Sequence, residues 1–277
     1  MTTIHDALND ATTQLHNSDS GQRDGEVLLC HVLQKSLSYL RTFPEQTLDE
    51  ETLERFYGVL AQRAEGVPIA YLIGEREFWS LPLLVNKDTL IPRPETEILV
   101  SAALELFTAD QSIEALDLGT GSGAIALALA KERPKWQVTA TDASIAALRM
   151  AEKNARRLKL PIEFLMGSWF SPLPERRFDL IVSNPPYVAE NDPHLSQGDL
   201  RYEPDSALSS GPDGLADIRE IITQAPLHLH SGGWLALEHG FDQGEAVRVL
   251  MATNFCQVQT LTDLAGLPRV TTGKKLL

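Results

Sequence analysis

The 277-residue sequence is poor in basic residues. Its 24 lysines and arginines stand against 38 aspartates and glutamates, which gives a formal net charge of −14. Proteins that grip duplex nucleic acid neutralise phosphates with lysine and arginine. The balance therefore disfavours stable nucleic-acid binding, although a net charge can hide a local basic patch.

Cysteines and long apolar runs are also scarce. The two cysteines, Cys30 and Cys256, belong to no CxxC or Cys/His ligand pattern, so we expect a reducing compartment and no metal site. The amino-terminal MTTIHDALND has no apolar segment of the kind that secretory signals carry. The longest apolar run near the middle, 124–130, is far shorter than the ~20 residues that span a bilayer. The expectation is a cytoplasmic protein without membrane attachment.

The length and the 43% hydrophobic content suit two domains with real cores. Residues 1–74 carry apolar positions at helical spacing, which predicts a small helical bundle with a recognition or docking role. Residues 75–94 contain short β-rich segments broken by Pro82, Pro92 and Pro94, a composition typical of a β-hairpin linker.

Residues 95–277 alternate between predicted strands and helices. Strands are predicted at 113–118, 137–141, 162–165, 178–182 and 234–238, and helices at 95–107, 124–133, 144–160, 215–230 and 243–254. Two final strands, 258–261 and 269–272, have no helix between them. This order predicts an α/β fold with a Rossmann-like parallel sheet, an antiparallel hairpin at one edge, and ligands at the carboxyl ends of the strands.

A glycine-rich turn follows the first predicted strand of this sheet. In DLGTGSG, residues 117–123, alternate glycines let a ligand approach the backbone closely. Dinucleotide sites prefer the spacing G-x-G-x-x-G. The carboxylate of Asp117 disfavours a phosphate and favours a ligand with a positive group, such as S-adenosylmethionine. The predicted cofactor contacts here are Asp117, Gly119, Thr120, Gly121, Ser122 and Gly123.

Two residues after the next strands support the same cofactor. Asp142 ends the second strand, where an acidic side chain can accept both ribose hydroxyls of a nucleoside. Trp169 follows the third strand and offers a flat apolar face for adenine. The alternative is a turn built for helix–sheet packing with Asp117 and Asp142 as strand-end caps.

The segment SNPPY, residues 183–187, follows the fourth predicted strand. Two prolines stiffen the chain and hold Asn184 and Tyr187 in nearly fixed poses. An amide or exocyclic amine nitrogen is planar because its lone pair is delocalised, and it becomes nucleophilic only as it pyramidalises. The Asn184 side-chain carbonyl and the Pro185 backbone carbonyl can accept both of its N–H hydrogens, while Tyr187 covers the flat substrate. Alternatively, Asn-Pro-Pro is a common turn and Tyr187 a packed core ring.

Several segments together resemble the peptide chain release factor glutamine N5-methyltransferases, a class I S-adenosylmethionine-dependent family. They are REFWSLPLLV, LIPRPETE, LDLGTGSGAIALALA, IVSNPPYV, RYEPDSAL, LALEHG and DLAGLPRVTTG. The resemblance implies a helical recognition domain at 1–74, a hairpin at 75–94 and a seven-stranded methyltransferase domain at 95–277. It implies methyl transfer from S-adenosylmethionine to the glutamine of a Gly-Gly-Gln motif in class I release factors, and we expect a monomer.

The resemblance also assigns residues to roles. It gives Gly119 to Gly123, Asp142, Trp169 and Asn184 to the cofactor, and places the linker motif 91–97 beside the site. The residues that it assigns to holding the substrate glutamine are Asn184, Pro185, Pro186 and Tyr187.

Other functions and residues stay open at this point. NPPY suits the exocyclic amines of adenine and guanine equally well, and base modification would need a basic cleft. A non-catalytic cofactor-binding protein is a further alternative. Glu238 and His239 either collect the departing proton or hold a neighbouring loop. Arg201 and Glu203 either shape the substrate groove or form an ion pair within their loop.

Overall fold

The computed structural model describes residues 1–16, 18 and 20–276. The chain separates into two compact units, Met1–Glu75 and Arg76–Leu277. The three-part division at 74/75 and 94/95 remains our proposal for the domain boundaries. No helix in the described part of the chain is both long and apolar enough to cross a membrane.

The first unit is helical. Its helices are α1 (Ile4–Gln14), α2 (Gly21–Leu33), α3 (Leu37–Thr42), α4 (Glu50–Ala64) and α5 (Ile69–Ile73). Thr3 begins α1 with a capping box shared with Asp6, and the Asp49 side chain caps α4 by accepting the Thr52 N–H. Buried apolar residues on the facing stripes, among them Leu28 and Phe56, form one core.

A short hairpin follows, formed by β1 (Glu75–Phe78) and β2 (Leu81–Leu84). Its two turn residues, Trp79 and Ser80, have φ of 52° and 54°, as a two-residue type I′ turn requires. The predicted β character at 89–94 is wrong. Residues 85–93 form no strand and lead into a single 3₁₀ turn at Pro94–Thr96, because prolines at 92 and 94 cannot donate to a ladder.

The rest of the second unit alternates strands and helices. The helices are α6 (Glu97–Glu105), α7 (Ala124–Glu132), α8 (Ile145–Leu158), α9 (Ala216–Gln224) and α10 (Gly244–Met251). The strands are β3 (Glu114–Leu118), β4 (Gln137–Asp142), β5 (Glu163–Met166), β6 (Phe178–Ser183), β7 (Leu229–Glu238), β8 (Phe255–Thr262) and β9 (Pro268–Lys275).

These strands form one seven-stranded sheet in the order β5-β4-β3-β6-β7-β9-β8. Strands β3 to β7 are parallel, and β9 runs antiparallel to both β7 and β8. The predicted α/β fold with its antiparallel edge is thus confirmed. The chain leaves β3 first towards β4 and later returns to β6, so the switch point lies between β3 and β6.

Two elements differ most from the predicted bounds. Helix α9 ends at Gln224, before a 3₁₀ turn that contains Pro226, and β7 already begins at Leu229. The pair Gly232 and Gly233 hid the first half of β7, since glycine carries no side-chain pattern.

Helices cover both faces of the sheet. Helices α6 and α7 pack on one face through Leu99 and Leu127, and α9 and α10 pack on the other through Ile221 and Met251. Helix α7 buries seven consecutive residues from Ala124 to Ala130, which explains its lack of a polar stripe. The faces of the sheet are therefore covered, and its carboxyl edge is left for the connecting loops.

Candidate active site

The glycine turn, residues 119–123, connects β3 to α7 in a left-handed backbone. Gly119, Gly121 and Gly123 have φ of 69°, 57° and 87°, a region that disfavours any residue with a Cβ. The Thr141 carbonyl anchors the turn by accepting the N–H groups of Gly119 and Thr120 at 2.9 and 3.0 Å. A Cβ on Gly121 would meet nothing within 4 Å, so the backbone there borders open space.

The far side of the turn is packed rather than open. A Cβ on Gly123 would meet Leu127 at 3.0 Å and Ala151 at 3.2 Å. The Ser122 carbonyl accepts a hydrogen bond from buried Asn154 at 2.9 Å. The alternative interpretation, a turn made for packing, thus describes Ser122 and Gly123, while Gly119 and Gly121 face the cavity described below.

Asp117 is fully buried beneath the turn. Its Oδ2 accepts the Thr120 hydroxyl at 2.6 Å and the Ala126 N–H at 3.2 Å, and its Oδ1 has no partner among the described residues. Burial raises the pKa of Asp117 to about 7, against the effect of these two hydrogen bonds. A nearby cation would relieve this cost of burying the carboxylate.

Asp142 stands at the carboxyl end of β4 and ties two loops together. Its Oδ2 accepts the Gly121 N–H and its Oδ1 accepts the Ser144 N–H, both at 2.8 Å. Burial raises the pKa of Asp142, and these two bonds oppose the rise. Each carboxylate oxygen keeps a further lone pair that can accept a ligand hydroxyl.

A cavity of about 400 Å³ opens above these residues, a size that suits a small-molecule site. The predicted residues that line it are Gly119, Gly121, Asp142, Trp169, Asn184 and Pro186. The predicted residues outside its lining are Asp117, Thr120, Ser122, Gly123, Pro185 and Tyr187. Lining residues with no predicted role are Lys87, Asp88, Thr89, Leu90, Ala143, Ser144, Ala146, Ala147, Pro204, Ser206, Ala207 and Asp217.

Trp169 adopts a φ of 46°, unusual for a residue with a side chain. Its ring lies against the glycine turn, where a Cβ on Gly119 would come within 3.2 Å of it. The aromatic face therefore borders the same cavity as Asp142.

The proline corner, residues 184–187, follows β6 directly. The Asn184 Nδ2 donates to the Thr96 Oγ1 at 3.1 Å, which leaves the Asn184 Oδ1 for a ligand. The Tyr187 hydroxyl donates to the Glu238 Oε1 at 3.5 Å, and the Gln243 Nε2 donates to the Tyr187 carbonyl at 2.9 Å. Burial and the Glu238 charge raise the pKa of Tyr187. Thr96 belongs to the linker motif 91–97.

The contacts of His239 favour the structural one of its two alternative roles. His239 is buried, and its Nδ1 lies 2.9 Å from the Gly240 carbonyl, which can only accept. The Nε2 then accepts from the Thr271 hydroxyl at 2.9 Å, and burial lowers the pKa of His239. His239 is thus a neutral structural residue that holds strand ends together.

Glu203, for which an ion pair within its own loop was one of two alternatives, pairs with a residue outside that loop. Its buried carboxylate pairs with Arg93 of the linker at 2.5 Å. Burial raises the pKa of Glu203 and the Arg93 charge opposes the rise. The pair fastens the loop that carries Pro204 and Ser206 to the linker at the cavity wall.

Family models place the chain in a class. The model for the methyltransferase small domain matches residues 95–199, and the model for the PrmC N-terminal domain matches residues 6–74. Solved methyltransferases share the fold. A Pyrococcus furiosus methyltransferase has a TM-score of 0.56 at 19% identity, covering 78% of this chain and 98% of its own. A Thermus thermophilus 16S rRNA N2 G1207 methyltransferase, solved with AdoMet and guanosine, has a TM-score of 0.54 at 20% identity, covering 73% of this chain and 49% of its own.

Curated relatives narrow the class. Release factor glutamine methyltransferases are 54% identical in Vibrio cholerae, over 98% of this chain and 96% of theirs, and 53% identical in Pseudomonas aeruginosa, over 99% of both. The Escherichia coli protein of that name is 47% identical over 96% of this chain and 97% of its own. The chain therefore belongs to the release factor glutamine methyltransferase family and is a methyltransferase with a donor of the S-adenosylmethionine type.

Proposed function

We propose that this enzyme transfers the methyl group of S-adenosylmethionine to the side-chain nitrogen, N5, of the glutamine in the Gly-Gly-Gln motif of class I peptide chain release factors. The observation that carries the proposal is that Asn184 of the proline corner and Asp142 line one cavity. Relatives about 50% identical over nearly the whole chain are named release factor glutamine methyltransferase, which supports the proposal.

The residues around the cavity fit the cofactor. Open space beside Gly121 admits a ligand against the backbone, the spare lone pairs of Asp142 can accept ribose hydroxyls, and the Trp169 face can cover adenine. The carboxylate of Asp117 places negative charge under the turn, which favours a cationic ligand. When bound, S-adenosylmethionine supplies an electrophilic methyl group.

The proline corner would activate the carboxamide. The Asn184 Oδ1 and the Pro185 carbonyl accept the two N–H hydrogens of the glutamine, which favours a pyramidal nitrogen and its developing positive charge. Hydrogen bonds of this kind contribute roughly 1.5–3 kcal/mol each. Pro186 lines the cavity and helps to hold the side chain in line with the methyl group.

Tyr187 lies outside the lining of the cavity. Its ring packs against the core beside α9 and β7 and its hydroxyl reaches Glu238. We therefore assign Tyr187 to fixing the corner and excluding water from its rear, rather than to stacking inside the cavity.

Labelled S-adenosylmethionine tests the substrate. The enzyme is incubated with a class I release factor, with the same factor whose motif glutamine is replaced by alanine, and with bulk RNA and DNA. Label should enter the intact factor alone, at the motif glutamine by mass spectrometry. Label in nucleic acid alone would establish the competing base-modifying function.

Calorimetry tests the cofactor assignment. Asp142→Ala should weaken binding of S-adenosylmethionine about tenfold or more, because it removes the ribose acceptors and frees the Gly121 N–H. Asp142→Asn keeps one acceptor oxygen and should lose less. Wild-type affinity in Asp142→Ala would remove the ribose assignment.

We further propose that the enzyme works as a monomer in the cytoplasm, without stable binding of nucleic acid or membranes. The −14 balance supports the absence of nucleic-acid binding. Sedimentation of the enzyme alone and with RNA tests both points, since a dimer or co-sedimenting RNA would contradict them.

A further inference from the structure

The orientation of the Asn184 carboxamide decides whether it can serve the proposed reaction. An amide side chain presents a donor at one end and an acceptor at the other, and its hydrogen-bond partners decide which end faces where. A glutamine nitrogen that carries two hydrogens needs the acceptor. Asn184 lines the cavity and its Nδ2 donates to Thr96, so the orientation in the structure is the useful one.

Thr96 lies between Asn184 and a buried carboxyl group. Thr96 and Glu238 are 4% and 1% exposed. In the parallel pair β6–β7, Ser183 lies opposite Leu237, which makes Asn184 and Glu238 neighbours at the strand ends. Burial raises the pKa of Glu238 to about 7, and the nearby Thr96 hydroxyl opposes the rise. The Glu238 Oε2 has no hydrogen-bond partner among the described residues, so this carboxyl has acceptor capacity to spare.

Thr96 lies beside both groups, and its hydroxyl carries a single proton that can point towards only one of them. An ionised carboxylate can only accept, so it draws this proton towards Glu238. The Thr96 oxygen is then purely an acceptor for Asn184, which forces the amide NH₂ to face Thr96. A protonated Glu238 could instead donate to Thr96, whose own proton could then turn to Asn184 and stabilise the reversed amide.

We propose that Thr96 and Glu238 are positioning residues that hold the Asn184 carboxamide with its oxygen towards the substrate nitrogen. The proposal rests on the proposed function, because only an N–H substrate requires that orientation. The same carboxylate receives the Tyr187 hydroxyl, so Glu238 connects to both ends of the proline corner.

Threonine variants test the hydroxyl. Thr96→Val keeps the shape of the side chain and removes its hydroxyl. We expect kcat to fall about 10- to 100-fold, while the dissociation constant for S-adenosylmethionine stays within about threefold. Thr96→Ser restores the hydroxyl and should recover kcat to within a fewfold. The matched control is Thr272→Val, since Thr272 is a buried threonine whose hydroxyl has no described partner. Thermal unfolding checks that Thr96→Val is folded, and wild-type kcat in folded Thr96→Val overturns the proposal.

The pH profile tests the carboxyl. The charged and titratable groups that act on Glu238 are Arg269, Glu95 and Tyr187. At saturating cofactor and release factor, wild-type kcat should fall as the pH drops below about 7. Glu238→Gln should lower kcat and flatten this profile, because the glutamine amide can donate to Thr96 at every pH. An unchanged inflection in Glu238→Gln would show that another group titrates and would overturn the role of Glu238.

A measurement without turnover separates this proposal from the proposed function. The side-chain NH₂ resonances of Asn184, identified by their absence in Asn184→Ala, should shift with pH near 7 in the wild type and lose that shift in Thr96→Val. A wild-type enzyme that shows this behaviour but methylates no release factor would refute the proposed function alone. An active wild type whose Asn184 resonances ignore both pH and Thr96 would refute the positioning pair alone.

Discussion

Two neighbouring strands, β3 and β6, end in opposite ways. After β3 the glycine turn follows a left-handed path without side chains, and after β6 the proline corner has a stiff backbone with large side chains. Leu118 lies opposite Ser183, so the two ends lie side by side on one edge of the sheet. The glycine turn suits a ligand that lies against the backbone, and the proline corner suits one that binds fixed hydrogen-bond acceptors. The two ligands would therefore lie next to each other.

The difference shows how each half tolerates change. The glycine turn depends on the absence of Cβ atoms, because any added Cβ costs backbone strain and occupies the space of the ligand. The proline corner depends on the polar groups of Asn184 and Tyr187. These groups are hydrogen-bonded by Thr96, Glu238 and Gln243. Changes in the first half should affect cofactor binding, whereas changes in the second should affect turnover.

The largest expected effect is that of Asn184→Ala. It removes one of two acceptors for the reacting amide, and kcat should fall by about 100-fold or more while cofactor affinity stays within a fewfold. Steady-state methyl transfer and calorimetry measure the two quantities. Turnover at the wild-type level would remove the amide-holding role, and a matching loss of cofactor affinity would erase the contrast between the two halves.

Gly214→Ala should disturb the proline corner through its contact with Tyr187. Gly214 has φ of 73°, and a Cβ there would collide with the Tyr187 carbonyl oxygen and lie 2.8 Å from the Gln243 Nε2. Strain and collision together should lower the free energy of unfolding by about 3 kcal/mol. Gly198→Ala, in the same loop with φ of 53° and open space around it, should lose only about 1 kcal/mol. If urea denaturation showed the same loss of unfolding free energy for both variants, neighbouring groups would have moved to relieve the collision at position 214.

Sequence patterns predicted what is local. Asp142, Gly121 and Asn184 were predicted as site residues because each lies at or just after the end of a recognisable strand, and the fold brings these strand ends to one edge of one cavity. The alternation of strands and helices gave the sheet and its antiparallel edge. The change in periodicity indicated a hairpin but misplaced it, because the turn lies at Trp79 and Ser80 and residues 89–94 form no strand.

Contacts between distant segments could not be predicted in this way. The Asn184–Thr96 bond spans 88 residues and the Arg93–Glu203 pair spans 110. Threonine and glutamate are common in loops, and no spacing rule connects such positions. No spacing rule assigned the cavity wall at 87–90 to the site. Pro204, Ser206 and Ala207 belong to the RYEPDSAL segment of the resemblance, but only the folded chain shows that they line the cavity.

Asp117 should make the stability of the enzyme depend on pH. Its pKa is raised from 3.8 to about 7 by burial, so between these values the unfolded chain binds fewer protons than the folded one. Stability therefore falls as the pH rises from about 4 to 7 and then levels off, by about 2 kcal/mol for this group after structural relaxation. Denaturation of Asp117→Asn at pH 5 and pH 8 should show a smaller difference than the wild type. Identical differences would mean that the carboxyl titrates normally.

The smallest effect compares Gly121→Ala with Gly266→Ala. Both positions have positive φ, 57° and 79°, and at both an added Cβ meets nothing within 4 Å. Each variant should lose about 1 kcal/mol of stability through backbone strain alone. Only Gly121 borders the cavity, so only Gly121→Ala should weaken S-adenosylmethionine binding, about tenfold by calorimetry. If both variants bind the cofactor like the wild type, the open space beside Gly121 is not where the ligand lies. The glycine turn would then not be the part of the site that binds the cofactor.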